Sequence, residues 1–179
     1  GYFGPSAWPD LPPAPQAARL RFIGEIAGPR VAGTGRLGAI LRAIIGLDKA
    51  GEITADRLVK PTGLFVSSGT VFIADPGRHA VLRYDEAGGR GDWWPRETGT
   101  KLLSPVGVAG AADGRVFILD SMLEKVLILD AKGNVTGELE GDPEGMGRPA
   151  ALAVSGKRIY ISDVKKHRIA IYGLDGAFL

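Results

Sequence analysis

Residues 58–85 read LVKPTGLFVSSGTVFIADPGRHAVLRYD, and this stretch decides the fold because the chain repeats it. Residues 102–130, LLSPVGVAGAADGRVFILDSMLEKVLILD, align with it, and so do residues 146–173, MGRPAALAVSGKRIYISDVKKHRIAIYG. Pro61, Pro105 and Pro149 recur at intervals of 44 residues, and Asp75, Asp120 and Asp163 at intervals of 45 and 43. Gly63 and Gly107 match, with Ala151 at the third position. A period in the forties that contains only strand patterns is the mark of propeller blades. The expected fold is all-β, a β-propeller of four-stranded antiparallel blades. Its three repeats are 58–101, 102–145 and 146–179.

Each repeat is physically consistent with a blade. The proline opens a strand where no ladder donor is needed. The small residue two places later suits an innermost strand crowded by its neighbours, where a Cβ is costly. A turn and a β-rich run follow: VFIAD, VFILD and IYISD, with the Asp placed to bond the next backbone N–H groups as an Asx-type turn. A further turn leads to AVLRYD, VLILD and IAIYG. Stretches around Asp92–Trp94 and Val135–Leu139 are candidates for fourth strands. The closing residues GLDGAFL read as the start of another repeat.

Upstream, residues 1–17 are a Pro-rich extended lead. Residues 18–57 hold a strand pattern at 18–27, a Gly loop and a short amphipathic helix. In that helix Leu37, Ile40, Leu41, Ile44 and Ile45 fall on one face, and Gly46 suits its stop.

Composition narrows the class. The 27 glycines among 179 residues are about twice the average share of roughly 7% and indicate many tight turns. Without cysteine the chain has no disulfide framework, thiolate metal site or haem attachment. No apolar run reaches the roughly 18 residues of a membrane span. The net charge is only +2 and the cations are scattered, which argues against a nucleic-acid partner.

On these residues the repeats resemble the NHL family, through Pro-x-Gly near the repeat start and the run RIYISDVKKHRI at 158–169. Departures are Arg78, Leu123 and Lys166 where the family often has Asn, and Glu124-Lys125 where it often has His-Arg. The lead with Trp8-Pro9, followed by RLRFIGEIAGP, is similar to exported bacterial six-bladed members, whose N-terminal strand closes the ring. The resemblance implies an extracytoplasmic protein (periplasm or cell surface) whose signal peptide has already been removed. It also implies more blades than three, so the sequence is expected to belong to a longer ring or to be completed by another chain.

His79 and His167 stand four residues after Asp75 and Asp163. Some NHL-propeller lyases use channel histidines on zinc, and the resemblance makes these two candidate ligands. The family pattern also places His in a turn at this position, and two histidines alone make a poor catalytic zinc site. The three aspartates suggest either a calcium ring or caps on their own hairpins. GTGRLG at 33–38 matches G-x-G-x-x-G but lacks the βαβ frame of a dinucleotide site. Lys157, Arg158, Lys165, Lys166 and Arg168 form a small basic cluster, and residues 90–92 spell RGD in a Gly-rich turn.

The paired Trp93 and Trp94 are candidate partner contacts, although neighbours on a strand point to opposite faces. With the helix face of Leu37, Ile40, Leu41 and Ile44 they make the expected docking residues. The function expected is a non-enzymatic scaffold for protein–protein interaction in an exported bacterial assembly, with no cofactor. The alternative is a metal-dependent propeller lyase or hydrolase acting at the central channel, with zinc or calcium.

Overall fold

A computed structural model describes residues 26–28, 57–96, 99–139 and 144–179. The predicted helix at 37–45, the GTGRLG loop and nearly all of the predicted strand at 18–27 lie outside the described residues.

Among the described residues eleven strands form three antiparallel sheets, each built from strands in sequence order. The first blade holds β1 (Gly63–Ser67), β2 (Thr70–Asp75), β3 (Ala80–Asp85) and β4 (Arg90–Trp94). The second holds β5 (Pro105–Gly110), β6 (Val116–Asp120), β7 (Lys125–Leu129) and β8 (Val135–Glu138). The third holds β9 (Pro149–Ser155), β10 (Arg158–Asp163) and β11 (Arg168–Gly173). The fourth strands fall where the sequence placed them.

GLDGAFL is different from its sequence reading. Phe178 bridges back to Tyr172, and the Leu179 N–H donates to the Ile171 carbonyl. These residues begin an outer strand on the third blade rather than open another repeat. The Gly-containing turn after β11 has the same length class as the turn before β4, and sequence alone does not separate the two.

The apolar runs are continuous because a blade buries both faces. In β2, Phe72 and Ala74 point to the second blade, while Val71 and Ile73 point away. One repeat later, Phe117 and Leu119 point to the third blade, and Val116 and Ile118 point back to the first. All five residues of β6 are buried. Period-2 alternation therefore survives as a choice of neighbour rather than as a choice of apolar or polar.

The inner strands approach one another closely. A Cβ on Gly63 would lie 2.6 Å from the Val106 carbonyl oxygen of the next blade. This is the physical reason for a small residue at that repeat position. The register also slips in the same place twice: Pro105 pairs with Asp120 but Gly107 with Leu119, and Pro149 with Asp163 but Ala151 with Ser162. Val106 and Ala150 are thus bulged residues, and a bulge re-aims its side chain out of the ladder.

Candidate functional site

The buried aspartates organise the end of the blades where this site lies. Asp75, Asp120 and Asp163 are 0%, 0% and 3% exposed. Asp75 accepts from the N–H groups of Val59 and Lys60 at 2.7 and 2.9 Å, and from Arg78 at 3.2 Å. Asp120 accepts from Leu103 and Ser104 before the proline and from Met122 and Leu123 in its own turn. Asp163 accepts from Gly147, Arg148 and Lys166. Each carboxylate therefore caps its hairpin and also clamps the chain that enters the blade, 15 to 17 residues upstream. Burial alone would raise the Asp163 carboxyl. The N–H groups of Gly147, Arg148, Lys166 and Lys165 outweigh it and hold the group below the ordinary carboxylate range.

These bonds commit the three carboxylates to backbone donors. Among the described residues no group of three or more His, Cys, Asp or Glu side chains is placed to hold a metal ion. His79 and His167 sit at φ +55° and +51°, the left-handed last position of their turns, as does Glu124 at +54°. His79 Nδ1 lies 2.6 Å from the Leu103 carbonyl oxygen of the next blade. A carbonyl only accepts, so Nδ1 carries the proton and donates, and His79 acts as a link between blades.

The tryptophan pair separates. Trp94 is 1% exposed, packed edge-on to Phe72 with ring centroids 5.4 Å apart. Its ring atoms lie 2.6 to 2.9 Å from where a Cβ on Gly133 would stand. Trp94 is therefore withdrawn from the candidate partner contacts, because the second blade covers it. Trp93 faces the other way and packs on Val71, Ile73, Leu82 and Tyr84, with the Arg78 guanidinium 5.7 Å from its ring centre. Leu37, Ile40, Leu41 and Ile44 lie outside the described residues. The RGD aspartate is engaged as well: Asp92 accepts from Trp94 Nε1 at 2.6 Å and pairs with Arg96 at 2.8 Å.

An arrangement not anticipated from sequence lies beside the clamps. A groove of about 430 Å³ is lined by Thr62 from the first blade, Val106, Ser121 and Met122 from the second, and Arg148 and Ala150 from the third. Thr62, Val106 and Ala150 each directly follow the inner-strand proline, so their 44-residue spacing was the available signal. The Thr62 hydroxyl donates to the Val106 carbonyl at 3.3 Å. Beside the groove Val164 donates its N–H to the Arg148 carbonyl. Met122 and Val164 are 68% and 51% exposed. A larger hollow of about 750 Å³ borders the outward face of the first blade, along Leu58, Leu64, Val71, Ile73 and Tyr84.

Solved structures with this blade arrangement are β-propellers, and the chain folds as propeller blades. A nidogen/laminin complex structure matches with TM-score 0.58 at 20% identity, over 68% of this chain and 46% of that one. Virginiamycin B lyase from Staphylococcus aureus matches with TM-score 0.55 at 18% identity, over 66% and 40%. The WD40 repeats of RRP9 match with TM-score 0.57 at 15% identity, over 68% and 38%. The chain thus spans less than half the length of each of these solved chains. No family model and no curated protein matches the sequence. No helix among the described residues is long and apolar enough to cross a membrane.

Proposed function

We propose that this chain is part of an NHL-type propeller serving as a non-enzymatic scaffold, which docks a protein partner at the end of the blades where the aspartate clamps lie. The observation that carries this reading is the exposure of Met122 and Val164 beside a groove shared by three blades. Exposed apolar side chains on tightly held turns cost little ordering when a partner covers them. The NHL assignment rests on the Pro-x-Gly starts and the 158–169 run. The exported bacterial setting rests on the likeness of the Trp8-Pro9 lead and the RLRFIGEIAGP segment. The reading calls for no cofactor.

The test uses the full protein and the complex isolated from its native source. Met122→Asp combined with Val164→Asp is expected to weaken the complex about tenfold or more, equivalent to about 1.4 kcal/mol, with unfolding unchanged. Unchanged affinity rejects this end as the docking site.

A second reading is a metal-dependent lyase or hydrolase. It draws on the likeness to virginiamycin B lyase and on the equivalent placement of His79 and His167. Metal analysis separates the two: stoichiometric zinc or calcium that disappears with His167→Ala favours the enzyme.

A further inference from the structure

The charges around the groove select among protein partners. Lys60 and Arg148 occupy the same repeat position, immediately before the inner-strand proline, and each is fixed by its backbone N–H on a clamp carboxylate. Lys165 follows Val164 on the third turn and is exposed. Lys166 spans back to the Glu144 and Gly145 carbonyls and pairs with the Glu144 carboxylate at 3.6 Å.

The acidic side is nearly silent at this end. Asp75, Asp120 and Asp163 are buried and occupied by backbone donors, so their charge is compensated locally. Glu144 is paired, which leaves Glu124 as the exposed carboxylate on the turns described. Arg148 thus lines the groove together with Val106, Ala150 and Met122, and Lys60 and Lys165 are exposed on the segments that flank Thr62 and Val164.

Resting on the docking reading above, we infer that the groove across Thr62, Val106 and Ala150 takes an acidic peptide segment. An aliphatic side chain of that segment lies against Met122, and its carboxylates face Lys60, Arg148 and Lys165. Complementary charge of this kind raises the association rate and rejects basic competitors.

The experiment uses fluorescently labelled short peptides on the full protein: blocked Asp-Glu-Leu-Asp-Glu-Leu-Asp, the same peptide with Lys for every acid, and the acidic peptide with Gly for Leu. The acidic leucine peptide is expected to bind best and to weaken several-fold between low and physiological salt. Arg148→Glu is expected to reduce that binding about tenfold. Because Arg148 borders the Asp163 clamp, Lys165→Glu on the exposed turn serves as the second variant. Equal binding of acidic and basic peptides, lost with Met122→Asp, overturns the acidic preference and leaves protein docking standing. Failure of all three peptides to bind overturns the acidic-peptide inference, while the docking reading is decided by Met122→Asp with Val164→Asp in the native complex. Binding unaltered by either charge reversal overturns the assignment of the cations.

Discussion

The seam between the first and second blades and the seam between the second and third use one backbone plan and different side chains. The first seats aromatic rings against glycines of the next blade. Trp94 fills the space that Gly133 leaves open, Phe65 lies where a Cβ on Gly110 would be 2.5 Å away, and His79 bonds across to Leu103. The second buries Phe117 and Tyr172 among Leu119, Val126, Ile159 and Ile161, and Arg115 Nη1 links across it by donating to the Leu174 carbonyl at 2.7 Å. At the position of His79 the second blade carries Glu124, whose carboxylate cannot donate to a carbonyl when ionised. The repeat therefore specifies where a seam forms, while the volume exchanged across it is settled seam by seam.

The largest test breaks the first seam alone. Trp94→Ala is expected to cost about 3–5 kcal/mol in denaturant unfolding of the full protein. Trp93→Ala, outside that seam, should cost clearly less. Equal losses would mean that the Gly133 pocket is not the holding contact. Next come the clamps. Asp120→Asn replaces an acceptor facing backbone donors with a partial donor and should cost about 1.5–3 kcal/mol. The pH dependence follows from Asp163. Its folded-state value is depressed, so its stabilisation is complete above the unfolded value of about 3.9 and is lost as pH falls through the lower folded value. The hydrogen-exchange protection factor in β10, corrected for the intrinsic pH dependence of exchange, should fall on acidification below about pH 4, and Asp163→Asn should flatten that response.

A smaller effect sharpens the comparison of cross-links. Arg115→Ala should destabilise the second seam by about 1 kcal/mol, while His79→Gly should cost the first less, because glycine relaxes the left-handed turn as the cross-link is lost. Smallest of all, Glu124→Gly should stabilise by several tenths to about 1 kcal/mol, because glycine accepts a positive φ without a Cβ penalty. A loss instead would show that the Glu124 side chain holds its seam.

Much of this fold was legible because blades are local. The VFIAD, VFILD and IYISD runs declare their strands through β-branched and aromatic residues, and Pro105 and Pro149 mark strand starts, with Pro61 two residues ahead of β1. The turn function of the aspartates was legible for the same reason. Their second function was not, since bonding to Val59, Leu103 and Gly147 requires knowing that the entering chain passes beside the end of the second strand. The division of Trp93 from Trp94 follows from strand geometry, but which ring faces the second blade depends on Gly133, some 40 residues on. The groove residues were hidden because Val106 and Ala150 read as ordinary strand positions until a register slip sets them outside the ladder pairing.

The clamps have a mechanical consequence. A pull on the segment entering a blade would reach the carboxylate–amide bonds at Val59–Lys60, Leu103–Ser104 or Gly147–Arg148 before it reached the strand ladders. Each aspartate acts as a strain relief at a cable entry. Tension on one linker is passed into the second strand of its own blade, and the inner strands are spared a load that would peel them apart one bond at a time.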